Sequence, residues 1–402
     1  MGKQIFLEDI QAEQLCLLDP LARLLLRVTR QNGLYMALIA VVIHSILIIG
    51  GGWLISVSYT GQEFRPVYDT RELIYLIFQF IFVVPLLWAF YVLEPIRILQ
   101  IFQGLAQNEV VGASKSSYAN IDEFIHKEVH LINRKANLIV VIIITISLLL
   151  LWLTQLYTTH YNNYNFSRPW WFINPLYFWG VWIIEITINV YMVMWIVVRR
   201  FSAVSIVNKF LSSFDIDPKI FHPDQSNGLL PLGNYAIKIS PLITIVGFWI
   251  FFAIAYPTLY GQRLNIKFDT ITYIVVYTLF LPVVLILPVW KTHLAMKDAK
   301  SQSLETIARQ IRTLFAITDF KHLISTESLP LSSMKIQNNF DSERIIALVP
   351  LVEWLKEKYR LFDIELHVWP FNTPSIRGFI ISTVSPLFWI FVSILIQKYI
   401  FP

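Results

Sequence analysis

Long apolar tracts alternate with short polar segments along this chain, and the tracts exceed the length of ordinary core helices. Seven runs reach spanning length, at about 34–57, 73–93, 138–158, 176–198, 240–260, 271–290 and 378–397. At a rise of ~1.5 Å per residue, ~20 residues in a helix cross a hydrocarbon layer of ~30 Å. The pattern predicts an all-α polytopic membrane bundle of about seven transmembrane helices. Pro85, Pro257, Pro282 and Pro386 fall inside the runs. Neighbouring helices can satisfy the carbonyls such prolines release, so each is read as a kink. Gly50, Gly51 and Gly52 permit a bend or close packing in the first run. No internal repeat supports an inverted-repeat transporter.

The polar segments divide the chain into an N-terminal arm at 1–33, a six-span bundle at 34–290, a helical region at 291–377 and a last span with a short tail at 378–402. In the arm, Asp19 followed by Pro20 reads as a helix start. Leu21, Leu24, Leu25 and Val28 then recur at helical spacing among Arg23, Arg27 and Arg30, as in a helix lying along a membrane interface. The bundle carries two larger polar loops, 94–137 and 199–239. Within the first, the stretch ending RKANL reads as a helix running into the third span. In 291–377, Leu304, Ile307, Ala308, Ile311, Leu314 and Phe315 form a narrow seam that needs a partner. A second helical pattern follows a Ser-rich break, with Pro350 near its first turn or at a kink, so a helical hairpin is expected.

Charge orients the spans. Alternate polar segments carry 26 and 6 of the Lys and Arg residues, and the richer set includes the N-terminal arm. Basic residues accumulate in cytoplasmic segments, which predicts the N-terminus inside, the C-terminus outside and a multi-pass protein of the plasma (inner) membrane. The segment between the third and fourth runs would then be external. Trp170 and Trp171 there, with Trp179 and Trp182 at the start of the fourth run, suit an interfacial belt, and the glycosylation-like Asn165-Phe166-Ser167 is read as chance.

Composition narrows the classes further. Hydrophobic residues make up 56% of the chain and mean hydropathy is +0.58, both high for a soluble domain. The net charge of +5 follows loop placement, and no basic cluster interleaves with aromatics as nucleic-acid binding requires. A single cysteine, Cys16, excludes an internal disulfide and multi-cysteine metal sites. The polar, acidic start is unlike a secretory leader, and Phe6 stands where a myristoylation signal needs Ser or Thr.

Few residues offer chemistry. Glu185 sits near the centre of the fourth run, with Asn189 one turn on and Trp182 about one turn before it. A carboxylate at that depth costs ~2.5 kcal/mol or more on insertion scales, so it faces protein or water. It reads either as an ion- or proton-handling group or as a buried acid hydrogen-bonded to Asn189 or a neighbouring helix. His44 in the first run could relay protons with Glu185 if the two spans adjoin, or serve only helix packing. Asp122, His126 and His130 recur at fourfold spacing, a stripe that could share a metal but more simply forms a solvated face. His222, Asp224 and Asn227 lie in a cytoplasmic cluster, HPDQSNG, that suits a tight turn or, less simply, oxygen ligands for a cation.

Phosphate loops, nucleophile elbows and potassium-type filters are absent from the sequence, so neither an enzyme nor a bound cofactor is expected. Seven spans, N-inside, with a cytoplasmic helical region before a last span that ends the chain, resemble the topology of the insect odorant and gustatory receptor channels. The residues before the last helix read SIRGFIISTV (375–384), without the Tyr-led signature of those proteins. The resemblance implies an oligomeric channel. The expected function is an ion channel or transporter-like bundle. The alternative is a membrane-anchored sensor or scaffold whose cytoplasmic helices, 291–361, bind a protein partner. The expected partners are the lipid bilayer, a possible second copy and that cytoplasmic protein, with no nucleic acid.

Overall fold

The structure is a computed structural model, and it describes residues 12–46, 78–115, 118, 120–162, 183–217, 219, 222–224, 226–259, 274–275, 277–279, 286, 289–317, 339–365, 368–371 and 373–400. Eleven helices account for most of these residues. A short 3-10 turn, Ala12–Cys16, leads into α1 (Pro20–Thr29) and α2 (Gly33–His44). A π-turn, Gln79–Val83, opens α3 (Val84–Gln107). Then come α4 (Ile121–Glu128), α5 (Lys135–Asn162) and α6 (Ile183–Ser213). The chain continues through α7 (Leu230–Ile237), α8 (Ser240–Leu259), α9 (Trp290–Ile317), α10 (Asn339–Glu365) and α11 (Thr373–Ile400).

Among the described residues, two helices are long and apolar enough to cross a membrane, Gln79–Gln107 and Ile183–Ser213. Shorter apolar helical stretches occur at Gly33–His44, Lys135–Leu151 and Ile376–Trp389. Much of the first and sixth predicted runs, and residues 163–182 with Trp170, Trp171, Trp179 and Trp182, lie outside the described residues. The apolar tracts are therefore helical wherever they are described, and the full set of seven crossings is not displayed.

The all-α expectation needs one correction. Val111–Ser114 (β1) and Phe214–Ile216 (β2) form a small antiparallel ribbon, with Val111 opposite Ile216 and Ser114 opposite Phe214. It ties the segment after α3 to the end of α6. Gly112 allows this pairing, because a Cβ there would meet Asp215 at 3.2 Å.

The helix of the second run extends beyond the expected end at 93, through Glu94 and Pro95, to Gln107. Its entry shows how a proline is absorbed. Pro85 has no N–H and its ring crowds the preceding turn. The backbone widens there into the π-turn, and Val84 N–H donates to the carbonyl of Gln79. The expected run-on helix into the third span is broken. α4 stops at Glu128, a 3-10 turn covers Val129–Leu131, and α5 starts at Lys135. Side-chain amides satisfy the break. Asn137 Nδ2 donates to the carbonyls of Leu131 and Ile132, each at 2.9 Å. Asn133 exchanges hydrogen bonds with Leu17 N–H (3.0 Å) and the carbonyl of Gln14 (2.6 Å), stitching this corner to the N-terminal arm.

The core lies around α3. It packs against α2, α6, α7 and α8, and its Trp88, Phe90, Tyr91, Val92, Ile98 and Phe102 are buried. α6 also packs on α5, and α8 on α11. α9 and α10 lie against each other. On α9 the seam residue Ile307 is buried, as is Leu355 on α10, and Leu304, Ala308, Ile311 and Leu314 are half-buried. Pro350 lies in the interior of α10, eleven residues past its start at Asn339.

Candidate functional site

Three helices bring the polar candidates of the apolar tracts together. His44 ends α2, Glu185 stands in the first turn of α6, and Trp88 and the π-turn's Phe80 come from the α3 segment. His44 Nε2 lies 3.4 Å from Glu185 Oε1, and the two side chains are 1% and 7% exposed. The other ring nitrogen, Nδ1, is 2.6 Å from the carbonyl of Ala40. A carbonyl only accepts, so Nδ1 carries a proton and Nε2 is left to face the carboxyl group. Phe80 stacks on the imidazole at 5.6 Å and Trp88 meets it edge-on at 5.4 Å. Glu185 Oε2 is buried without a hydrogen-bond partner among the described residues.

Asn189 does not bond Glu185; its Oδ1 accepts from Trp88 Nε1 at 2.9 Å. That bond fixes the indole that borders His44. The site is thus a carboxyl and an imidazole facing each other in an aromatic enclosure. Two arrangements suit it, a carboxylic acid donating to neutral imidazole or a carboxylate facing imidazolium, and they differ by one proton's position.

Further along the same buried face of α6, about 21 Å from Glu185 at ~1.5 Å per residue, comes Arg199. Its position at the end of the fourth run suggests a flanking loop charge. Instead it is fully buried, and its Nη2 donates to Asp19 Oδ2 at 2.5 Å. Its Nη1 donates to the carbonyl of Tyr91 at 3.2 Å, and its guanidinium lies over the rings of Tyr91 and Trp195. Asp19 also receives the hydroxyls of Tyr91 (2.6 Å) and Tyr191 (3.1 Å). Asp19 remains the N-cap of α1, accepting from Ala22 N–H at 3.2 Å. One carboxylate therefore starts the arm's helix and plugs the arm into the bundle.

Arg200 repeats the arrangement with Glu94. Its Nε is 3.1 Å from Glu94 Oε1, which also accepts from Tyr235 Oη at 2.7 Å. Glu94 is fully buried. Sequence reading passed over Glu94, Trp88, Tyr91 and the second role of Asp19. The available signal was a Glu-Pro pair breaking an apolar helical tract, and an Asp among leucines beside unmatched arginines.

The remaining candidates stay apart from this column. Asp122, His126 and His130 do not share one unbroken helical stripe, because the α-helix ends at Glu128. His130 Nδ1 is held by the carbonyl of Lys127, and no group of three potential metal ligands occurs among the described residues. The buried acid in this region is Glu128, bonded by Lys209 Nζ and Tyr118 Oη, each at 2.7 Å. Burial pushes its carboxyl upward, but these two donors outweigh that and hold it below the ordinary value.

Asp224 organises the turn at 222–230. Its Oδ1 accepts from Ser226 N–H (2.9 Å) and Gly228 N–H (3.0 Å), and Oδ2 from Leu230 N–H (3.3 Å). His222 Nδ1 lies 2.9 Å from Oδ1. Burial raises this carboxyl, yet the converging donors hold it below the ordinary range. Asn227 and Gly228 both take positive φ, 56° and 84°, as the reversal requires. The carboxylate is spent on backbone N–H groups, which is the geometry of a turn. Burial pushes the Cys16 thiol up to about 11, so it is a neutral packing group.

Comparison with family models, with curated proteins and with solved structures finds no match to this chain.

Proposed function

We propose that this chain is a multi-pass protein of the plasma (inner) membrane, with seven spans, N-terminus inside and C-terminus outside, that works as an ion channel or transporter handling a proton at His44 and Glu185. The carrying observation is the 3.4 Å approach of the two side chains in a buried enclosure. An acid and an imidazole so placed can exchange a proton without moving the backbone. Such ionisable residues in membrane helices commonly mark proton and ion pathways. Asn189 and Trp88 supply the next polar step, and the Asp19–Arg199 pair closes the column at its cytoplasmic end.

The outward surfaces support the membrane. On α5, Ile139, Ile143, Leu150 and Leu151 are each more than half exposed, and on α11 so are Ile380, Ile381, Phe388 and Phe391. Water disfavours apolar faces of that length, whereas lipid covers them without loss.

The test is flux. Purified protein in liposomes loaded with a pH-sensitive dye is expected to move protons, alone or with a driven ion. Glu185→Gln and His44→Gln are each expected to abolish this while retaining the helical signal by circular dichroism. Unchanged flux in both variants would falsify the proton role. A scaffold reading is favoured by one feature, the exposed Leu351 (41%) and Trp354 (57%) on the outer side of α10. Absence of any flux, with a soluble protein retained by the intact chain and lost on Trp354→Ala, would establish that reading instead.

A further inference from the structure

Between the start of α5 and the end of the apolar part of α6 lies an open cavity of about 290 Å³, lined by Leu131, Arg134, Asn137, Val198, Phe201, Ser202 and Ser205. We infer that it binds the phosphate headgroup of an anionic phospholipid on the cytoplasmic side. The inference rests on the membrane reading of α5 and α6, and is independent of the proton chemistry at Glu185.

Three observations converge. The first is unspent positive charge. Arg134 and the adjoining Lys135 are exposed, and neither has a carboxylate partner among the described residues. A guanidinium is the side chain best shaped for a phosphate, which it can meet with two parallel N–H donors.

The second is a set of short polar groups beside it. Ser202 Oγ accepts from Asn137 Nδ2 at 3.5 Å, which leaves its own proton to donate into the cavity. Ser205 currently donates to the carbonyl of Phe201 at 3.0 Å and can turn its hydroxyl to a phosphate oxygen. The third is the mixed wall. Leu131, Val198 and the half-exposed Phe201 form its apolar side, and Ile139, two residues past Asn137 on α5, is also exposed. A soluble phosphate needs no such wall, whereas a lipid places its glycerol and upper acyl chain there. Basic pockets between spans at the cytoplasmic surface suit headgroups of this kind.

The experiment titrates the detergent-purified full chain with short-chain phosphatidylglycerol, short-chain phosphatidylcholine and glycerol phosphate, reading the thermal unfolding midpoint by tryptophan fluorescence. Phosphatidylglycerol is expected to raise the midpoint, with phosphatidylcholine and glycerol phosphate doing so weakly or not at all. Arg134→Gln is expected to weaken the phosphatidylglycerol response roughly fivefold or more, as loss of one cation near a headgroup predicts. Ser205→Leu, which fills the cavity and keeps the arginine, is expected to remove the preference even if Arg134→Gln fails to fold. Equal responses to the two lipids, or a preference that survives Ser205→Leu, would overturn the site. An equal response to glycerol phosphate would overturn the lipid and leave a soluble phosphate ligand.

Discussion

Asp19 and Arg199 illustrate how much one buried pair can decide. Both are removed from water, so each is tolerable only because the other is present, with two tyrosine hydroxyls completing the carboxylate's shell. Removing one partner leaves an uncompensated charge. Asp19→Ala is expected to destabilise the protein by about 3–5 kcal/mol, and the double change Asp19→Leu with Arg199→Met to recover much of that. Thermal unfolding in detergent checks both, and equal losses in single and double variants would contradict the coupling. Glu128 gives a pH dependence of known sign. Its folded value lies below the ordinary 4.5, so its contribution is complete above about pH 4.5 and is lost as pH falls through the lower folded value. The stability of the parent chain and of Glu128→Gln should therefore converge on acidification and diverge at neutral pH. A gap that widens in acid would reverse the sign.

Among the elements, α3 and α6 do most to assemble the molecule. α3 passes Trp88 to Asn189, Tyr91 to Asp19 and Glu94 to Arg200 and Tyr235, so its polar residues each reach a different neighbour. α7 makes a close backbone approach of its own. Gly233 faces the carbonyl of Pro370, where an added Cβ would collide with main chain that cannot swing aside. Gly233→Ala is expected to separate α7 from the 368–371 segment and lower the unfolding midpoint, whereas Gly378→Ala, with nothing within 4 Å of its Cβ, should be nearly neutral. Equal midpoints for the two variants would show that this contact does not form in solution. The paired α9 and α10 bury Ile307 and Leu355, while Leu304, Ala308, Ile311 and Leu314 of the same seam stay half-buried.

For the whole molecule, topology is the outstanding physical question. The charge asymmetry of 26 against 6 predicts a cytoplasmic N-terminus and an external C-terminus. A C-terminal alkaline phosphatase fusion should be active and a C-terminal fluorescent protein dark in bacterial cells. The opposite pair of results would require an even number of crossings. Burial of Arg199 and Arg200 removes two residues from the exposed basic count, yet the remaining excess keeps the same sign.

The helical tracts, the disturbed hydrogen bonding at Pro85, the helix start at Asp19-Pro20 and the burial of Glu185 away from the apolar surface were legible in the chain, because periodicity, proline chemistry and the cost of an exposed charge among apolar residues are local properties. His44 was legible as a candidate partner of Glu185, but whether the two meet was not. Two spans separated by more than a hundred residues must adjoin before His44 can face it, and pairing of that kind depends on packing. For the same reason Arg199 and Arg200 looked like loop charges until Asp19 and Glu94 were brought beside them. The break before α5, which separates His130 from the helix carrying Asp122 and His126, is likewise joined to the distant arm through Asn133. Local sequence set the elements and their polarity, and only the tertiary arrangement decided which buried charges cancel and which remain available for chemistry.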